Sequence, residues 1–231
     1  KMGYVCLAWV IDSVAATFNT VGSLSGNNVS LQPENFSIND SDVAKDSNIT
    51  NIYGLKNNVK SAPGSSIGIY TYSKLNVKTI VKAMDSILAV ACVSLFANSG
   101  LKPIAGLPGD FTLNENEFEY RTLSNGWLCH PFISNLVFDL ARKTFVLARD
   151  GYFFVWDSTE EETINCIMNN DAVAAKSILE RNKGIFSRLI GLSYPYADEK
   201  MVEKLYSIFT VGLTSVIKDP NDLNTNWNIT S

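Results

Sequence analysis

Hydrophobic residues along this 231-residue chain fall into blocks whose periods change from element to element. In TFVLARDGYFFVW, residues 144–156, two apolar runs flank Asp150-Gly151, a pair that accepts the positive φ angles of a two-residue hairpin turn. The pattern predicts a hairpin with Phe145 opposite Trp156 and Arg149 opposite Tyr152. Neither of its faces is polar enough for water, so helices or a partner should cover both.

Other blocks repeat at helical spacing. Tyr4, Leu7, Ile11, Val14, Phe18 and Val21 fall on one stripe and predict a helix over 1–21; the β-branched pair Val10-Ile11 leaves a strand as the alternative for Tyr4 to Ile11. Ile67 to Tyr72 alternates as a short strand. Ser73 then caps a helix running to Ala97, with Val77, Ile80, Val81, Met84, Leu88, Ala91 and Leu95 inward and Asn98-Ser99-Gly100 as its stop. Ala89, Val90, Cys92 and Val93 leave its second half no polar face, so that half is predicted to be buried all round.

Leu101 to Asp110 is a Pro/Gly connection and a candidate boundary. Phe111, Leu113, Phe118 and Tyr120 suggest a second hairpin around 114–116. Pro131 opens a helix through Lys143 with Phe132, Leu136, Val137 and Leu140 inward. Ser158-Thr159-Glu160-Glu161 reads as a capping box for a helix with Ile164, Ile167 and Met168 inward. Asn170-Asp171 caps Ala172 to Arg181, Gly184 to Leu192 adds an apolar helix, and Tyr194-Pro195-Tyr196 breaks it. Asp198 opens an amphipathic helix with Met201, Leu205, Ile208, Phe209, Leu213 and Val216 on one stripe, ended by Asp219-Pro220.

Residues 22–66 are rich in Asn, Ser, Gly and Asp, with isolated apolar residues. Structureless loops of that length are rare inside compact domains, so the segment reads as an arm, extended or disordered, whose Val29, Leu31, Phe36 and Ile38 are candidate docking anchors. Residues 218–231 form a polar tail. The expected architecture is a helix-dominated α+β fold, with the hydrophobic hairpin 144–156 packed among the helices of a main unit, 67–217, and long polar arms around it.

Composition narrows the function classes. The chain is 46% hydrophobic and only 18% charged, with a net charge of -4, so neither nucleic acid nor an anionic membrane is attracted in general. All five arginines, Arg121, Arg142, Arg149, Arg181 and Arg188, lie between 121 and 188, but acids in that segment balance its positive charge. They line a nucleic-acid groove only if folding segregates the signs. Val5 to Phe18 is too short for a membrane span and holds Asp12, and Ile80 to Phe96 holds Lys82 and Asp85, so no span is expected.

Cys6, Cys92, Cys129 and Cys166 lack metal-ligand spacing and read as reduced thiols, in a reducing compartment or a virus particle rather than a secreted protein. The one histidine, His130, follows Cys129 directly, and adjacent side chains point apart, so it is expected to bond the backbone before a helix-starting proline. Glu160-Glu161-Glu162 complements a helix dipole; Asp110 with Glu115, Glu117 and Glu119 could pair carboxylates, but alternating Glu is also what a solvated strand face looks like. No catalytic, cofactor or metal motif stands out.

The expectation is a structural or assembly subunit of a larger particle, of virion coat or capsid-associated type, that homo- or hetero-oligomerises through protein contacts. Tyr152 and Trp156 join the arm anchors as interaction candidates. The alternatives are a hydrolase or transferase using Cys129 or His130, and a subunit that coats nucleic acid through its arginines.

Overall fold

The computed structural model describes residues 6–11, 49–56, 65–70, 76–113, 117–150 and 156–227. They form a helix-dominated α+β fold built around one helical rod. The rod consists of α1 (Val77–Ala83), a π turn (Met84–Ala89) and α2 (Val90–Leu95). Asn76 caps its start by accepting the Thr79 N–H, and left-handed Asn98 (φ 60°) and Gly100 (φ 76°) follow its end. From Val90 to Leu95 every side chain is buried, as expected of a stretch with no polar face.

An antiparallel sheet reaches the rod through Tyr120 of its central strand; its order is β1-β3-β5-β4-β2: β1 (Cys6–Ile11), β2 (Thr50–Asn51), β3 (Ser65–Tyr70), β4 (Asp110–Leu113) and β5 (Glu117–Tyr120). β4 and β5 pair Phe111 with Tyr120 and Leu113 with Phe118, the second hairpin expected from the sequence. Elsewhere the rod meets α3 (Pro131–Arg149), α4 (Glu160–Met168), α5 (Ala172–Arg181) and α7 (Glu199–Val211), with α6 (Lys183–Ser193) packed on α3 and α7. Phe118 joins sheet to helices, its ring 6.1 Å from Phe111 and 6.3 Å from Phe145 of α3. A second aromatic group centres on Phe186, which meets Trp156, Tyr206 and Phe209 edge-on.

Two expected elements are replaced. Residues 6–11 form a strand, paired with β3 from Cys6↔Tyr70 to Ile11↔Ser65, instead of part of a helix over 1–21. Among these residues the β-branched pair wins over the helical stripe once a partner strand is available. Residues 144–149 are the last turns of α3, not a strand of a hairpin. The reason is visible in the spacing: Val137, Ala141 and Phe145, and Leu140, Thr144 and Ala148, continue two four-residue rows, and all six are buried. Asp150 ends the helix with φ -81°; Tyr152 and its neighbours at 151–155 lie outside the described residues.

Smaller shifts concern helix faces and ends. Phe132, Met168, Met201 and Val216, all expected inward, are exposed. Thr159 rather than Ser158 caps α4, accepting the Glu162 N–H. α7 ends at Gly212 (φ 106°), before Leu213 and Val216 can extend its stripe. Asp171 and Asp198 cap α5 and α7 as expected. Segment 101–110 is tied back to 121–124, with the Ser124 N–H donating to Pro103 O and the Ala105 N–H to Thr122 O, both at 3.0 Å. The C-terminal segment forms a short α8 (Leu223–Asn226), and the Trp227 indole N–H donates to Leu128 O at 2.8 Å. Among the described residues no helix is long and apolar enough to cross a membrane.

If residues 144–149 are helical, Phe145 is a core residue and Phe132 a surface one. Phe145→Ala should cost about 3–5 kcal/mol in urea unfolding, and Phe132→Ala less than about 1 kcal/mol. Equal costs would contradict the helix assignment.

Candidate functional site

The most unusual polar group of the described residues is Asp85. It lies in the π turn and is fully buried, between Met84 and Leu88 of the apolar stripe. π turns inside helices often accompany functional sites, because they redirect one side chain without ending the helix. β5 supplies the first partner: the Tyr120 hydroxyl, also fully buried, donates to Asp85 Oδ1 at 2.6 Å. The Thr122 hydroxyl lies 3.4 Å from the same oxygen and 3.0 Å from Leu107 O.

The Tyr53 hydroxyl and the Gly109 N–H also bear on this carboxyl. They do not reach Oδ2 at good hydrogen-bond geometry, and that oxygen is buried without a partner among the described residues. Burial pushes the Asp85 carboxyl up to about 7, with the hydrogen bonds from Tyr120, Tyr53, Gly109 and Thr122 acting in the opposite direction. Tyr53 and Tyr120 are both pushed well above the usual phenol range, first by burial and then by the carboxylate beside them, so they are donors at any ordinary pH.

Next to this cluster the loop 106–110 is folded around a second carboxylate. Asp110 accepts from Asn51 Nδ2 at 2.7 Å and from the Leu107 N–H at 2.8 Å, while burial raises its pKa. Gly109 is required twice over: φ is +86°, and a Cβ there would lie 2.5 Å from the Tyr53 ring. At the outer rim Lys82 pairs with Glu160 and lies 6.0 Å from the centre of the Tyr53 ring. The arrangement can hold and release one proton near neutrality, in a place sealed by Tyr53, Gly109 and the sheet.

Sequence reading missed Asp85 as a site. The signal was present: an acid four residues after Val81 and three before Leu88, on the inward stripe of a helix expected to be buried. Tyr53 and Tyr120 carried no such signal.

The residues singled out from the sequence are scattered. Val29, Leu31, Phe36, Ile38 and Tyr152 lie outside the described residues. Trp156 is half-buried against Phe186, its indole nitrogen without a partner among the described residues. Arg121 pairs with Glu119 at 2.9 Å, Arg142 with Asp139 at 3.7 Å, Arg149 with Asp150 at 2.7 Å and Arg181 with Glu162 at 2.6 Å; Arg188 is exposed on α6. The arginines are thus spread over the end of β5, the middle and C-terminus of α3, α5 and α6, and folding interleaves the charges instead of segregating them.

His130 caps α3, its Nδ1 accepting the Phe132 N–H at 3.0 Å; burial lowers its pKa, and the bond requires the neutral ring. Cys92, Cys129 and Cys166 are free and buried, and burial pushes the Cys129 and Cys166 thiols up to about 12. Such thiols are poor nucleophiles. Glu160 and Glu162 of the acidic run pair with Lys82 and Arg181 at the start of α4, and Glu119 accepts from Thr112 and Arg121. Among the described residues no group of three or more His, Cys, Asp and Glu side chains could hold a metal ion. Comparison with protein-family models, with curated proteins and with solved structures finds no match.

Two outcomes follow. The folded state holds a proton on Asp85 that the unfolded chain, with its carboxyl at the ordinary 3.8, has lost by pH 5. Its contribution is therefore fully present below about pH 4 and declines as pH rises, by up to about 1.4 kcal/mol per pH unit, until it levels above about 7. Asp85→Asn should remove that slope from the stability profile measured by urea unfolding. In the native protein Cys92, Cys129 and Cys166 should resist iodoacetamide at pH 8 and react once urea unfolds the chain; rapid native labelling would contradict their burial.

Proposed function

We propose that this chain is a structural or assembly subunit of a larger particle, of the coat type, acting through protein–protein contacts. The observation that supports it is the exposure of large apolar side chains about the turn from α6 into α7: Leu192, Tyr196 and Met201 fall within ten residues, Tyr196 wholly exposed, beside the exposed charges of Asp198, Glu199 and Lys200. Val173 and Val211, at 81% and 66% exposure, add to an apolar surface on a chain with few charges. Isolated exposed side chains need no explanation, but a group that includes a wholly exposed tyrosine matches the composition of interface centres.

The rival readings find less support. A hydrolase built on Cys129 needs a thiol that ionises near neutrality, and this one is buried with its pKa near 12. A nucleic-acid groove needs unpaired positive charge, and four of the five arginines face carboxylates. Of the expected arm, 22–66, Thr50 and Asn51 pair with β4 and Ser65 and Ser66 with β1 of their own chain, so arm exchange is proposed only for the segment carrying Val29, Leu31, Phe36 and Ile38.

Light scattering across protein concentration tests the proposal. Wild type should associate, and the double variant Tyr196→Ser, Met201→Ser should weaken association at least tenfold with an unchanged melting temperature, since each buried anchor contributes roughly 1.5–3 kcal/mol. Val29→Ser, Leu31→Ser, Phe36→Ser and Ile38→Ser together should do the same. An absorbance spectrum free of nucleic acid is expected. A monomer at every concentration would contradict the reading.

A further inference from the structure

The geometry points to a proton-dependent strap: residues 49–56 are clamped to the helical core while the Asp85 carboxyl is protonated, and they lift when it ionises. Among the described residues the attachments of this segment are few and local. β2 pairs only Thr50 with Phe111 and Asn51 with Asp110. The Ile52 N–H donates to Gly109 O at 3.1 Å, and Asn51 Nδ2 donates to Pro108 O at 2.9 Å and to Asp110 Oδ1 at 2.7 Å. Asn51 Oδ1 in turn accepts from the Tyr53 and Leu55 N–H groups, which folds the strap onto itself. Ile49 is exposed and Ile52 only partly buried, so little apolar area holds the segment down. Tyr53 reaches deepest of its described residues, packing with Ile52 on Gly109 and bringing its hydroxyl to the Asp85 carboxyl.

Among the described residues no cation is recorded against the Asp85 carboxyl. From the strand side it faces Tyr120 and Thr122, from the loop the Gly109 N–H, and from the strap Tyr53. Lys82 of α1 is turned to Glu160 of α4, whose Glu162 is taken by Arg181. On α3, Asp139 pairs with Arg142 and Arg149 with Asp150, and the buried polar residue is the uncharged Thr144. A carboxylate in this position gains more from water than from its neighbours. Tyr53 is only partly buried whereas Asp85 and Tyr120 are fully buried, so lifting the strap is the smallest movement that admits water to Oδ2.

The sign follows from linkage. With the strap closed, burial raises the carboxyl to about 7; lifting the strap admits water and moves it down toward the ordinary 3.8. Only the closed form holds the proton between those limits, so the opening equilibrium should rise up to tenfold per pH unit from about 4 to 7 and level above that. Asp110 also has a raised pKa and also touches the strap, through Asn51, which makes it the control.

Amide hydrogen exchange on the full chain, corrected for the intrinsic pH dependence of exchange, reads the strap directly. In wild type the Ile52 and Leu55 amides should lose up to tenfold in protection per pH unit across this range, while amides of α5 change only with global stability. Asp85→Asn should abolish that local slope, and Asp110→Asn should keep it. Tyr53→Phe, which removes one hydroxyl, should leave the strap more open at pH 5 with α5 protection unchanged. A slope that persists in Asp85→Asn, one that vanishes in Asp110→Asn, or strap amides that follow α5 at every pH would overturn the proposal.

Discussion

The constraint on which the rest of this structure depends is a helix with no polar side. From Met84 to Leu95 the only side chains offering polar atoms are Asp85, Ser86 and Ser94, and the surrounding Ile, Leu, Val and Ala must be removed from water in every direction. A single sheet or a single helix pair covers only one or two directions. α3, α4, α5 and α7 pack around the rod and β5 reaches it through Tyr120, while Ser94 is accommodated by donating to Phe209 O of α7 at 2.7 Å. The small residues Ala89 and Ala91 let the surrounding elements approach closely, which is how five neighbours fit around one helix.

Enclosure makes the one acid inside the rod expensive to charge. Asp85 accepts from Tyr120 on one oxygen and has no partner among the described residues on the other, and burial favours the protonated form against the opposite pull of its hydrogen bonds. The cost is felt by the elements that seal the site, and they differ in how firmly they are held. Tyr120 belongs to a strand paired on both sides, whereas Tyr53 belongs to an eight-residue described segment with two ladder residues. A titration inside the core is thereby coupled to movement at the sheet edge. Assembly through the apolar α6–α7 corner would involve a different face, so the two readings stand on separate residues.

Where a stretch carried only one physical message, the sequence was sufficient. The all-apolar second half of the rod, the Asn98-Ser99-Gly100 stop, the Asp171 and Asp198 caps and the β4–β5 hairpin are all as expected. Where a short stretch carried two messages, the wider context decided. Thr144 to Arg149 is an apolar run beside an Asp-Gly turn signal but continues the four-residue rows of Val137 and Leu140, and a helix already formed extends at less cost than a new strand nucleates. Phe132, Met168 and Met201 sit at helix ends, where a stripe points past the core. The proton site was the hardest to read, because its members come from 53, 85, 109, 120 and 122 and only folding brings them together; in the sequence Asp85 counted merely as a charge that argues against a membrane span.

The most direct test of this account is the titration of Asp85 itself, followed through its side-chain carboxyl carbon by NMR in the full-length protein. A midpoint near 7, absent from the spectrum of Asp85→Asn, is what an enclosed, half-bonded carboxyl requires. A midpoint at or below the ordinary 3.8 would mean that water or a cation already reaches Oδ2, and the enclosure of the rod as described here would be wrong.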